Sequence, residues 1–122
     1  MIRVLLVEDD IINQKMASRL LIKWGMEVTV ANDGAEAISL IKGKKYNLVL
    51  MDLQMPDMDG CEATMRIRAL DDPYYKTIPI IAFSASGADD VMEKVSRHGM
   101  NDFVSKPPRA EEMLLKLNQY IA

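Results

Sequence analysis

Five short stretches of the chain are apolar at most positions, and between them apolar residues recur at helical spacing. The apolar runs predict strands over residues 3–7, 27–31, 47–51, 78–83 and 102–104. In the first intervening segment Ile12, Met16, Leu20 and Trp24 stand four apart. This predicts a helix that carries those residues on one face, and Gly25 stands where a helix-ending glycine belongs. The second segment opens with Asp33 and Glu36 at capping-box spacing, ahead of Ile38 and Ile41. A third helix is predicted over about residues 59–70 and a fourth over about 88–98, before Gly99. The fifth follows Pro108, which suits a first helical position, and carries Met113, Leu117 and Ile121 on one face.

Strands alternating with helices across short connections imply a parallel sheet covered on both faces. The runs VLLV, LVLM and IPIIAF are unbroken, as in central strands, whereas EVTVA alternates and DFVSK is polar at both ends. The second and fifth strands are therefore edges. With right-handed crossovers the predicted fold is a five-stranded α/β (βα)5 flavodoxin-like sheet of order 2-1-3-4-5, whose ligand crevice lies between strands 1 and 3, outside their carboxyl ends.

The acids fall in that crevice. LVLMDLQMP sets Asp52 at the end of a buried-looking strand, and VLLVEDD sets Glu8, Asp9 and Asp10 at the end of its neighbour. Two carboxylates about 4 Å apart repel by roughly 4 kcal/mol at an effective dielectric of 20, so the cluster calls for a cation. An all-oxygen ligand set suits Mg²⁺ or Mn²⁺. Asp10 can equally favour the N-terminus of the first helix by its charge. Strands 4 and 5 bring Ser84 and Lys106 to the same rim, a hydroxyl and an ammonium suited to phosphoryl oxygens. Lys106, read as an exposed rim lysine, carries little weight in stability.

Other residues read as structural. Lys106-Pro107 is a candidate cis peptide that the sequence leaves open. Asp57, Asp59 and Gly60 read as turn formers after Pro56. His98 reads as a dipole contact at a helix C-terminus, and Cys61 and the ten methionines as packing.

Composition narrows the partners. The 122 residues, 49% hydrophobic, fit one domain spanning 1–122 with a core of its own. A net charge of −3 offers no positive field for a nucleic-acid backbone or an anionic membrane, so neither is expected as a direct partner. One cysteine excludes an internal disulfide and suits a reducing compartment, and the start shows no signal peptide or transmembrane run. A cytoplasmic location is expected.

Four separated blocks, LLVEDDIINQKM, LVLMDLQMPDMDG, IPIIAFSAS and DFVSKP, resemble in content and order the receiver domains of two-component response regulators, over essentially the whole chain. VED, NQ and MDLQMPDMDG are most similar to receivers attached to hybrid histidine kinases, although Asp10 replaces the asparagine common there and Ser84 the more frequent threonine. The resemblance implies that Asp52 accepts a phosphoryl group from the phosphohistidine of a sensor histidine kinase or a histidine phosphotransfer protein. It implies Mg²⁺ held by Asp9, Asp52 and the backbone carbonyl of Gln54, with Glu8 acting through water. Lys106 would pair with Asp52 or its phosphate, Ser84 would turn its hydroxyl to a phosphate oxygen, and Phe103 would be the aromatic switch.

The switched surface would be the face of the fourth helix, fifth strand and fifth helix, read by a downstream protein. The chain would act as a monomer or, when phosphorylated, a weak dimer. It would catalyse only its own phosphorylation and dephosphorylation. With no output domain expected after Ala122, the signal would pass by protein contact, unless the chain is cut from a longer one. The rival readings meet obstacles. A phosphatase of haloacid-dehalogenase type needs a second Asp two residues after the nucleophile, where this chain has Gln54, and a flavodoxin's phosphate loop would be repelled by Glu8, Asp9 and Asp10.

Overall fold

The unbroken apolar runs form the centre of one parallel sheet. In the computed structural model, which describes residues 1–85 and 88–121, the elements follow in the order β1 (Arg3–Val7), α1 (Ile11–Lys23), β2 (Glu27–Ala31), α2 (Gly34–Gly43), β3 (Leu48–Asp52), α3 (Gly60–Arg68), α4 (Pro73–Thr77), β4 (Ile80–Ser84), α5 (Ala88–His98), β5 (Asp102–Ser105) and α6 (Ala110–Ile121). The strands pair in parallel in the order β2-β1-β3-β4-β5, with the half-exposed β2 and β5 at the edges.

Because successive side chains on a strand point to opposite faces, the sheet has two cores. On one face Leu5, Val7, Val49, Met51, Ile80 and Ala82 meet α2, α3 and α5 through Ala37, Ile41, Ala63, Ile67, Val91 and Val95. On the other, Val4, Leu6, Leu48, Leu50, Ile81 and Phe83 meet α1 and α6 through Ala17, Leu21, Met113 and Leu117. Burying each large apolar side chain contributes about 1.5–3 kcal/mol, which is what holds the helices to the sheet and aligns the strand ends.

Several local expectations shift. The buried face of α1 is Ala17 and Leu21, with Leu20 and Trp24 only flanking it, and Ile12 is 65% exposed. Spacing of four drifts around a helix of 3.6 residues per turn, so a stripe that includes Trp24 leaves the core by Ile12. Glu36 reaches back to the backbone N–H of Asn32 at 3.0 Å rather than to that of the N-cap Asp33, so the capping box is opened by one residue. Pro108 lies two residues ahead of α6 and is not its first residue.

The short α4 has no counterpart in the periodicity. Asp72 caps it by accepting from the Tyr74 N–H at 2.9 Å, and Pro73 opens it. A single turn is too short to show a period, and its ending at Ile78 moves the start of β4 to Ile80. The Tyr74 hydroxyl accepts from the Tyr46 N–H at 2.6 Å and donates to the Tyr46 carbonyl at 3.1 Å, tying α4 to the chain before β3. The Lys106-Pro107 peptide is cis.

Thr64, on α3, is fully buried, and its hydroxyl has no hydrogen-bond partner among the described residues. Thr64→Val keeps the shape and removes an uncompensated polar atom. We expect it to raise the unfolding free energy by about 1 kcal/mol in urea titration, and a loss instead would show the hydroxyl to be bonded.

Candidate functional site

The carboxyl ends of β1 and β3 point into one crevice. Glu8 extends β1, its N–H donating to the Ala31 carbonyl at 3.0 Å, and its side chain is only 1% exposed. Asp9 follows, exposed. Asp10 caps α1, accepting from the Asn13 N–H at 3.0 Å, so of its two candidate roles it takes the helix end. Asp52 is the last residue of β3 and 2% exposed. Single carboxylate oxygens of Glu8, Asp9 and Asp52 lie within 4.8 Å of one another, a set that could hold a metal ion.

Lys106 lies between the two buried acids. Its backbone N–H donates to the Ser84 carbonyl at 2.9 Å, which fixes the turn after β5 against the end of β4. From there Nζ reaches Asp52 Oδ1 at 2.9 Å and Glu8 Oε2 at 2.8 Å, and stands 5.0 Å from the centroid of the Phe83 ring. The Glu8 contact is an ion pair without hydrogen-bond alignment at Oε2. The expectation of an exposed rim lysine is therefore overturned. The Lys106 side chain is 12% exposed, and without it Glu8 and Asp52 would face each other buried and uncompensated. Burial alone would lower the Lys106 pKa, but Glu8 and Asp52 together outweigh it and hold the ammonium above its ordinary value.

Asp52 shows the converse balance. Burial, helped by the charge of Glu8, pushes its carboxyl up from 3.8 to about 6, against the opposing pull of Lys106 and of the Gln54 N–H, which donates to Oδ1 at 3.2 Å. Three carboxylates against one ammonium leave two negative charges in excess. The donor set is hard oxygen throughout, and the burial that raises Asp52 is what a divalent cation would relieve. The residues fit Mg²⁺ or Mn²⁺.

The other expected residues are spread around this centre. Ser84 closes β4 and is buried. Phe103 lies on β5, registered with Ala82 and half-buried against the α5 side of the core. Gln54 sits at the mouth, its side chain exposed. Asp57 takes a left-handed φ of 68°, which Asp tolerates, and Asp59 caps α3, so both are structural as expected. His98 Nδ1 lies 2.9 Å from the Lys94 carbonyl in the last turn of α5. Cys61 is partly buried against the core, and that burial raises its thiol pKa.

Three residues that shape the site have no role in the sequence reading, where Asn13 and Gln14 stand only as the NQ of a family resemblance. Asn13 Nδ2 donates to Glu8 Oε1 at 3.4 Å, and Gln14 Nε2 donates both to the Glu8 carbonyl at 2.5 Å and to Asn32 Oδ1 at 2.8 Å. With Asn32 they brace the acidic turn against the loop after β2, and the position of Asn13 and Gln14 in the first turn of α1 was the available signal. Gly60 is not a turn former. It begins α3 against the Asp52 peptide, where a Cβ would lie 2.2 Å from the Asp52 carbonyl oxygen.

Residues 4–118 match the response regulator receiver domain family. Hybrid signal transduction histidine kinase B of Dictyostelium discoideum is 37% identical over 124 residues, covering 94% of this chain and 6% of that protein. The receiver domain of sensor histidine kinase PA1611 from Pseudomonas aeruginosa, solved with magnesium coordinated in its active-site cleft, superposes with a TM-score of 0.88 at 34% identity, covering 98% of this chain and 96% of that one. The receiver domain of Ssk1 from Saccharomyces cerevisiae, solved with the histidine phosphotransfer protein Ypd1, gives a TM-score of 0.86 at 30% identity, covering 98% and 88%. The chain spans 6% to 20% of the length of the curated relatives it matches. No described helix is long and apolar enough to cross a membrane. A parallel sheet of order 2-1-3-4-5, an acidic crevice at its switch point and a match over nearly the whole sequence agree: the chain belongs to the response regulator receiver domain family of two-component and phosphorelay signalling.

Proposed function

We propose that Asp52 is the phosphoryl acceptor, taking the group from a phosphohistidine of a histidine kinase or a histidine phosphotransfer protein. The observation that carries this reading is a buried carboxylate at a strand end, bonded to Lys106 and flanked by Glu8 and Asp9. In the transfer an Asp52 oxygen forms the new O–P bond as the N–P bond of the donor breaks. The imidazole keeps that electron pair and takes a proton from solvent. The chain's part is positioning and charge. The Lys106 ammonium, already at Asp52, moves its hydrogen bond toward a phosphoryl oxygen, and Ser84 offers its hydroxyl to another. Asp9, Asp52 and the Gln54 carbonyl, with Glu8 through water, would hold Mg²⁺, which supplies neutralisation of the phosphoryl oxygens.

Phe103 would then respond to Ser84 and change the face of α5, β5 and α6 that a downstream protein reads. The receiver bound to Ypd1 and the receiver with magnesium support the donor and the ion by analogy. Incubation with acetyl phosphate tests the reading. One phosphoryl group per chain, labile to hydroxylamine and dependent on Mg²⁺, is expected in intact-mass measurement. Continuous turnover without retained phosphate would instead favour the phosphatase.

The raised Asp52 pKa has a definite sign. Between pH 3.8 and about 6 the folded, metal-free protein holds a proton that the unfolded chain has released. This group's contribution to stability is therefore full below 3.8 and is lost as the pH rises through about 6. Measured in chelator against Asp52→Asn, wild type should lose relative stability over that window. In Mg²⁺ the loss should shrink, and a hundredfold excess over the dissociation constant adds about 2.7 kcal/mol. Melts that coincide in chelator and in Mg²⁺ at equal ionic strength would remove the metal site.

A further inference from the structure

A second set of charge-assisted contacts, away from the acidic crevice, gathers on Asp102, the first residue of β5. Its Oδ1 accepts from Lys116 Nζ on α6 at 3.0 Å and from the Phe103 backbone N–H at 2.9 Å, and its Oδ2 accepts from the Tyr120 hydroxyl at 2.9 Å. The same Lys116 ammonium stands 5.8 Å from the centroid of the Phe103 ring, within the range where a cation is attracted to an aromatic face. A surface lysine ordinarily spreads over many rotamers and gains little from such a contact. Here Asp102 fixes Nζ and Tyr120 fixes Asp102, so the ion pair has already ordered the lysine beside the ring. The ring also lines, with Met113, Leu115 and Arg109, an open groove of about 340 Å³ between β5 and α6.

We propose that Lys116, fixed by Asp102 and Tyr120, is a positioning residue that sets the resting place of the Phe103 ring. It thereby sets the gap that switching at Phe103 must cross. The second half rests on Phe103 being the switch. The first half does not. A lysine that only staples α6 to β5 would contribute to stability without governing the ring.

The chain contains two phenylalanines, so selective ring labelling for NMR resolves Phe103 from the fully buried Phe83, which reports on folding. In the unphosphorylated protein Lys116→Met, which keeps the apolar stem, should change the ratio of Phe103 ring positions about two- to fivefold. Lys116→Arg should restore the wild-type ratio. Asp102→Asn, which frees Lys116 without removing it, should shift the same ring in the same direction and serves if Lys116→Met does not fold. Phe103 signals unchanged in both variants, with Phe83 as in wild type, overturn the proposal. Acetyl phosphate with Mg²⁺, added to wild type, separates the two halves. Phe103 unmoved by phosphate yet shifted by Lys116→Met removes the switch reading and leaves the positioning role standing. The opposite pattern removes the positioning role alone.

Discussion

Asp52→Asn should leave the domain folded and lower phosphoryl incorporation from acetyl phosphate or a phosphohistidine donor by more than about a hundredfold. The amide keeps the shape of the side chain but has no anionic oxygen to attack phosphorus. It also lacks the charge that draws Lys106 to 2.9 Å. The same substitution should act in the opposite direction on stability. Burial is the leading reason the Asp52 carboxyl is held near pH 6, so at neutral pH the folded protein carries an ion that its surroundings disfavour. A neutral group there, with Lys106 still paired to Glu8 at 2.8 Å, should stabilise the metal-free protein by roughly 1 to 3 kcal/mol. It should also blunt the gain from Mg²⁺, because one of the three acids that converge within 4.8 Å is gone. Hydroxylamine-labile labelling that persists in the variant would move the acceptor elsewhere. A variant less stable than wild type in chelator would show that the Lys106 pairing outweighs the burial.

Gly60→Ala should destabilise the domain by on the order of 3 to 5 kcal/mol in urea titration, a large effect for one methyl group. The obstacle is space rather than backbone conformation. The added Cβ would lie 2.2 Å from the Asp52 carbonyl oxygen, 2.9 Å from its carbon and 3.0 Å from the Leu53 Cα. All three are main-chain atoms, so no side-chain rotation relieves the overlap. The Gly60 N–H also donates to the Leu53 carbonyl at 3.2 Å, and that bond would stretch as α3 moved out. Because the displaced peptide belongs to Asp52, the fraction that remains folded should bind Mg²⁺ more weakly than wild type. Stability within about 0.5 kcal/mol of wild type would mean that α3 can move away without disturbing the strand end.

These two residues divide along a line that runs through the whole protein. Asp52 was legible in the amino-acid sequence because its signal is local: an acid at the end of LVLM breaks a run that otherwise suits a strand buried on both faces. The alternation of strands and helices, the edge positions of β2 and β5, and the convergence of Glu8, Asp9 and Asp52 follow from the same kind of evidence, residue type and spacing over a few positions. Once the order 2-1-3-4-5 is inferred from strand composition, the crevice is placed with it.

Gly60 and Lys116 carry no such signal, and Lys106 carries one for its place at the rim but none for its burial. A glycine after Asp59 reads as a turn, and only the approach of α3 to the Asp52 carbonyl shows that it fills a place where no side chain fits. Lys106 reads as a rim lysine until the turn after β5 aims it between two buried acids, one of them 98 residues earlier in the chain. Ile12 keeps the spacing of a core residue yet stays in water, since the sheet surface beneath α1 meets Ala17 and Leu21. Sequence spacing reports how residues are arranged along one element. The distance between elements, and therefore which lysine is buried, which glycine admits no methyl and which ammonium stands beside Phe103, is set by packing among segments far apart in the chain.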